Sequence, residues 1–517
     1  MPIRMVQDEN QSNDDNGGRE RNPGGGGGGI NLGCLMMLLP YLLKRPKLFI
    51  PLLILGGIGY FFFGNQFSQL ADNTQQQQQS TFAMGGEMKE EIFDKAEVYE
   101  PLADNRKNPL PERVTLEPYC PDRLNQGSQG SCVAWSSAYA ARTILESKAT
   151  GTNPNKNAFS PSYLYNQIAL EGCQGSYIQY AMDKMQKEGL AKFEDFEYDE
   201  SDCSRQPPGD LKMSAAQYKT RGFNRLTRGG DDYKIDLLAI KQNLAQGAPV
   251  VIGMMVGGSF MQEMLGTEVW IPNDRDYDMP NFGGHAMCII GYDDFKNGGA
   301  FQIMNSWGKD WGVNGIGWVR YKDFEYFGKE AYGLYPMGNA ITQNENKLDV
   351  SFGLVENASG KNISLVRKSD GIYGTKSPIA KGTKFKVEVT NSADCYTYIF
   401  GMETDNTNYV LFPYTKKHSP YCGITGTRLF PKDYSMQADA LGEKDKIAVL
   451  ITKKPLDYVA FNESMNNKNI DFAQRFNQLI QSKAATSVDF KQTENISFTA
   501  DLNGKNAIGV IIEIDKK

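Results

Sequence analysis

The sequence predicts an α+β domain in two halves, preceded by a transmembrane helix and followed by a mainly β sandwich. Three observations carry that expectation. An apolar run, LFIPLLILGGIGYFFFG, fills 48–64. Over 108–338 a small-residue helix is followed by apolar strands with glycine turns between them. After 345 the pattern changes to short alternating stretches. With 40% apolar and 22% charged residues in 517, the bulk is globular in composition. A net charge of −6, with no basic block except near residue 45, argues against nucleic acid as a partner.

Residues 1–29 are polar and end in NPGGGGGG, a composition that reads as a disordered tail. Two apolar segments follow, INLGCLMMLLPYLL (30–43) and the run at 48–64, separated by KRPK. The second, with 17 residues, reaches the lower limit for crossing a bilayer. The first is shorter and holds Pro40, so it is expected to lie in the interface or re-enter. The long polar lead and the lack of an A-x-A site argue against a cleaved signal peptide. Lys44, Arg45 and Lys47 are expected in the cytoplasm, which makes the chain single-pass with 65–517 outside, periplasmic or extracellular. Residues 65–107 are glutamine-rich and polar and read as a linker. Within them EMKEEIFDKAEVYEPL forms at most one short helix, with Met88, Ile92 and Phe93 on a face.

The stretch NQGSQGSCVAWSSAYAA (125–141) places Cys132 at the head of a helix. Ala134, Ala138 and Ala141 give that helix a close-packing stripe, and Trp135 and Tyr139 add bulk. In a first turn, free N–H groups and the helix dipole favour the thiolate, the nucleophilic form of cysteine. A buried inert thiol is the plain alternative. A thiolate nucleophile needs a base, and the chain has two histidines. His285 precedes an apolar strand in NFGGHAMCIIGYDD, and the next strand, in GAFQIMNSWGKDWG, ends at Asn305. Adjacent strands would bring the two together, with Asn305 orienting the imidazole and Trp307 covering their bond. His418 reads as an exposed loop histidine. LLAIKQNLAQGAPVVIGMMVG reads as a helix stopped by Gly247 and then a strand from Pro249. The eight cysteines include no C-x-x-C pair, and H-E-x-x-H and Walker A motifs are absent, so neither a metal nor a cofactor is expected.

With Cys132, His285 and Asn305 in this order, residues 108–338 resemble a papain-like cysteine peptidase. The resemblance implies a helical half facing a β-barrel-like half, with a peptide or protein as substrate. It implies Cys132 as nucleophile, His285 as general acid/base and Asn305 as orienter. Gln126 matches the family's oxyanion-hole glutamine, with the Cys132 N–H as second donor. The family's C-G-S-C-W reads Gln129-Gly130-Ser131-Cys132-Val133 here, so one usual disulfide partner and one indole wall are missing. EGCQGS resembles a cleft-wall loop of the family, and a Cys173–Cys203 bridge is implied by relatives. Members carry a folded inhibitory propeptide; the short polar stretch over 65–107 implies none here, and activity without trimming. Two alternatives stay open: a binding or scaffold protein of this fold without turnover, and a transpeptidase sharing the acyl-enzyme.

Over 345–517, KFKVEV, CYTYIF, NYVLF, IAVLIT, ISFTA and IGVIIEI read as strands of a β-sandwich. One helix interrupts them, NIDFAQRFNQLIQS, with Phe472, Phe476, Leu479 and Ile480 on one face. YTYIFGMETDNTNYVLFP resembles a domain of uncharacterised function that accompanies bacterial peptidases, a candidate surface for a protein partner. Whether Cys395 and Cys422 pair is left open.

Overall fold

A computed structural model describes residues 3–8, 82–98, 100–104, 106–226, 234–337, 346–492 and 495–517. The strands up to residue 334 are β1 (Ile3–Gln7), β2 (Gly86–Glu87), β3 (Arg113–Thr115), β4 (Ser176–Tyr177), β5 (Phe223–Arg225), β6 (Val250–Val256), β7 (Val269–Trp270), β8 (Gly283–Asp293), β9 (Ala300–Met304), β10 (Ile316–Arg320) and β11 (Gly328–Leu334). Seven of them form a sheet in the order β5-β11-β6-β8-β9-β10-β7, and β3 adds to β8.

The sheet packs on a central helix that opens at Cys132–Ala134, widens into π-turns over Trp135–Arg142 and closes as Thr143–Thr150. Small residues allow this helix to lie deep. Ala134, Ala138 and Ala141 are fully buried, while Trp135 and Tyr139 stack edge to face on the same core. The Leu237–Ala245 helix is capped by Asp236, whose carboxylate accepts from the Ala239 N–H, and the chain turns at Gly247 with φ +82° into β6. The expected helix-then-strand reading is met there. Cys173 and Cys203 are bridged, pinning the loop before β4.

After residue 346 two sheets face each other. One runs β1, 434–438, 384–391, 347–356, 496–501, 487–492; the other runs 365–369, 372–375, 507–515, 444–452, 395–402, 408–412. Period-two alternation sorts their side chains. Ile399 and Val449 enter the core between the sheets, whereas Tyr398, Phe400, Ala448 and Leu450 face outward under the helices Tyr458–Ser464 and Phe472–Ile480. The second helix is the expected one. Tyr458–Ser464 was not expected; it is short, and its signal is the Asp457 cap accepting from the Ala460 N–H. Cys395 and Cys422 stand opposite one another on neighbouring strands as buried thiols.

Two expectations about the N-terminal region need correction. Residues 3–7, read as part of a disordered tail, form β1 and pair antiparallel with Tyr434–Ala438. Asp8 continues the contact, 2.6 Å from the Lys386 ammonium. The apolar segments 30–43 and 48–64 lie outside the described residues; among the described residues no helix is long and apolar enough to cross a membrane. Likewise, the 65–107 linker is not bare. From Phe82 onward it is packed, with a helix at Glu90–Phe93 whose Phe93 meets Tyr332 edge to face. Glu100 is 6% exposed; its side chain accepts from the Lys432 N–H, and its carbonyl from the Arg428 guanidinium.

Burial pushes the Glu100 carboxyl up to about 8, against the neighbouring Lys432; Asp433 and Tyr414 also face it. The packed state therefore holds a proton that the free chain releases near the ordinary carboxylate range. Its contribution is full at low pH and fades as pH rises to about 8. Glu100→Gln should remove this loss: its melting temperature should exceed that of the wild type by more at pH 9 than at pH 5. Parallel melting curves across that range would show that Glu100 does not titrate in this setting.

Candidate active site

Cys132 opens the central helix and is fully buried against β8, with the Ala286 N–H donating to its sulfur at 3.4 Å. His285 lies on β8 and Asn305 follows β9. The antiparallel register pairs Cys288 with Met304, and its continuation carries His285 alongside 305–307. There His285 Nε2 meets Asn305 Oδ1 at 2.8 Å. Asn305 Oδ1 also accepts from the Ser306 N–H at 2.7 Å, which turns the oxygen, not the amide nitrogen, toward the imidazole. Nε2 therefore carries the proton, and Nδ1 is left as the acceptor. Nδ1 is buried with no partner among the described residues. Trp307 stacks on the imidazole at 4.3 Å and shields its bond to Asn305. The fold brings Cys132, His285, Asn305 and Trp307 together.

Gln126 joins the same site. Its Oε1 accepts from the Ser306 hydroxyl at 2.6 Å, which aims its amide N–H groups away from that oxygen. Ser306 escaped the sequence reading, although it adjoins Asn305 in the NSW triplet. Tyr198 escaped it too; its hydroxyl donates to the Gln126 carbonyl at 2.7 Å and lies 2.7 Å from Ser131 Oγ, holding the loop before the helix. Among the described residues no group of three His, Cys, Asp or Glu side chains is placed to hold a metal.

The cleft is filled by the chain itself. Phe82 stacks on Trp307 at 4.6 Å, and the Ala83 carbonyl accepts from Gln126 Nε2 at 3.2 Å and Trp307 Nε1 at 3.0 Å. The Gly85 carbonyl accepts from the Ser176 N–H at 2.9 Å, and β2 runs parallel to β4. The fit is backbone on backbone. A Cβ on Gly85 would collide with the Gly130 carbonyl, and one on Gly284, across the cleft, with the carbonyl of Gly86. The sulfur faces the Gly85 N–H, a donor. The sequence signal for this was the glycine pair in AMGGEM. A bare linker over 65–107 was expected because the segment has no sustained apolar stripe, yet main-chain bonds with Phe82, Met84 and Met88 seat it.

Burial sets the electrostatics. It pushes the Cys132 thiol up to about 12, overriding the N–H donors around the sulfur, and pulls the His285 imidazole down to about 4. Both are neutral in this closed state, so the thiolate favoured by the helix start is suppressed. Gly85→Leu should expel the segment by overpacking and raise the rate of Cys132 alkylation by iodoacetamide at pH 8 on the order of tenfold or more. Mass spectrometry of the labelled peptide measures this; an unchanged rate would mean that the segment does not cover the thiol.

Residues 117–336 match the profile described as papain family cysteine protease, and residues 379–455 match a domain of unknown function (DUF4384). An uncharacterised peptidase C1-like protein of Acanthamoeba polyphaga mimivirus is 33% identical over 218 residues, which is 40% of this chain and 67% of that one. Cathepsin K of Mus musculus is 30% identical over 193 residues, 37% of this chain and 53% of the cathepsin, so the chain spans about half of that relative. Among solved structures, xylellain, a cysteine protease from Xylella fastidiosa, aligns with a TM-score of 0.41 at 22% identity, covering 50% of this chain and 96% of that one. The chain thus belongs to the papain family of cysteine peptidases, with a domain of unknown function behind the peptidase domain.

Proposed function

We propose that the chain is a thiol peptidase in a latent state, with Cys132 as nucleophile, His285 as general acid/base and Asn305 as the residue that orients it. The observation that carries this reading is the buried Nδ1 of His285, free of partners on the side opposite its Asn305 bond, in a site that also holds Cys132. Once the cleft opens, solvent returns and the thiol proton passes to Nδ1. The sulfur then attacks the substrate carbonyl carbon. Negative charge collects on the carbonyl oxygen, where Gln126 Nε2, released from Ala83, and the Cys132 N–H act as donors. Collapse expels the amine, which takes the proton back from His285 and leaves a thioester. Water, deprotonated by His285, attacks the thioester, and the carboxylic acid leaves as the thiol re-forms.

The test uses a fluorogenic peptide library in the Gly85→Leu background. Cys132→Ala and His285→Ala should each remove turnover almost completely, because they act as one unit. Gln126→Ala should lower it by roughly 10²–10³. Asn305→Ala should do less damage than His285→Ala, since the base remains but loses its orientation. Turnover that survives Cys132→Ala would sink the nucleophile assignment. Product transferred to an added amine, in place of water, would favour the transpeptidase reading.

We infer in addition that the enzyme works outside the cytoplasm, tethered to a membrane through the apolar stretch 30–64. The Cys173–Cys203 bridge supports an oxidising compartment. The pairing of β1 with Tyr434–Ala438 favours a hairpin that enters and leaves on one face, with Lys44, Arg45 and Lys47 at its cytoplasmic turn. Protease added to intact cells should then remove epitopes placed at both ends of the chain. Protection of either end would refute the hairpin, and protection of both would refute the extracytoplasmic placement.

A further inference from the structure

We propose that the C-terminal sandwich is the latch that keeps the cleft closed: its Thr415–Lys432 stretch grips the chain downstream of the blocking segment. Phe82–Met88 makes a two-residue parallel pairing with β4, a ring stack and the Ala83 carbonyl bonds, and Met84 and Met88 pack over Gly283 and Gly284. Pairing of that length is marginal in water. The chain beyond it is bound to the sandwich over a long front. The Val98 N–H donates to the Lys417 carbonyl at 2.7 Å, and the Ser419 N–H donates to the Val98 carbonyl at 2.9 Å. The Glu100 carbonyl accepts from Arg428 Nε at 3.0 Å, and the Arg428 side chain is itself held by Asn391 Oδ1 at 2.7 Å. The Ala103 N–H donates to the Thr427 carbonyl, and Asn108 brackets Thr427, donating to its carbonyl at 2.8 Å and accepting from its N–H at 2.7 Å.

The peptidase domain holds this stretch too, with Phe93, Ala96 and Leu102 buried in its core. Gln242 Nε2 donates to the Ala103 carbonyl at 3.1 Å, and Arg225 meets Asp94 at 2.9 Å. Asp94 also pairs with Lys417 at 3.2 Å, so the same carboxylate ties the blocking arm to both domains. Tethering acts through effective concentration. With Val98 fixed, the cleft segment is held within one short helix of its site, and even weak pairing stays closed. Release of the grip lets the arm diffuse away, and occupancy falls to what the short pairing supports by itself. This assigns the domain of unknown function a role in latency. The proposal rests on the occupied cleft and is read by thiol accessibility, which does not require turnover.

The experiment compares full-length chains. Val98→Pro removes the N–H given to Lys417, and Asn108→Ala removes the bracket on Thr427; neither residue touches Cys132, His285, Asn305 or Gln126. The readout is the rate of Cys132 alkylation by iodoacetamide, with the core thiol of Cys288 in the same sample as reference and Gly85→Leu as the open-cleft standard. Each variant should speed Cys132 labelling roughly tenfold, given about one kcal/mol or more per bond lost, while Cys288 stays unlabelled. The combined variant should approach the Gly85→Leu rate. Wild-type rates in both variants, beside a fast Gly85→Leu chain, would overturn the latch and leave the peptidase reading standing. Labelling of Cys288 in step with Cys132 would also overturn it, because the gain would come from general loosening. If labelling behaves as expected but no variant hydrolyses peptides, the latch holds and the peptidase reading falls.

Discussion

The closed cleft depends on a contact between two stretches of main chain: the Gly85 carbonyl receives the Ser176 N–H at 2.9 Å while the Gly85 N–H faces the Cys132 sulfur. Such a contact needs glycine, because a Cβ at Gly85 or Gly284 would meet a carbonyl across the gap. It removes water from Cys132 and His285 together, and their neutral forms result from that removal. It also occupies Gln126, whose amide would otherwise be available to a substrate oxygen. One backbone placement thus keeps Cys132 and His285 neutral and the Gln126 amide occupied.

The catalytic geometry itself is not distorted by the occupant. Asn305 is locked by its own neighbour's N–H, Gln126 by the Ser306 hydroxyl, and Trp307 covers the imidazole. These supports come from the β8–β9 register and the loop after it, not from the blocking segment. A site held this way keeps its side chains in place independently of the blocking segment, which is what the proposed latency requires.

The C-terminal sandwich brings together segments far apart in sequence. Residues 3–8 edge one of its sheets, and the arm from Val98 to Asn108 runs along its Thr415–Lys432 stretch. Buried ions mark how tightly this domain is built: the Lys516 ammonium has no exposure and sits 2.9 Å from Asp439 and 2.7 Å from Asp445. Removing the cation would strand two buried carboxylates, so the domain tolerates little local change there.

The sequence by itself pointed to Cys132, His285, Asn305 and Gln126 as the candidate site and to the layout of the two globular parts. Cys132 at a helix start, His285 on a strand, Asn305 after the next strand and Gln126 before the helix are local patterns. Strand register then brings them together almost without choice, because neighbouring antiparallel strands place their ends side by side. The period-two alternation after residue 345 likewise reported the sandwich. Only the tertiary structure decided what fills the cleft, because Phe82–Met88 seats through backbone groups beside glycines and through Phe82, Met84 and Met88, which follow no helical or strand period. It also decided that Cys132 is a neutral buried thiol, since burial depends on residues distant in the chain, and that residues 3–7 form a sheet edge. Five residues without a core of their own carry no sign of the partner strand that orders them, which lies in the C-terminal domain.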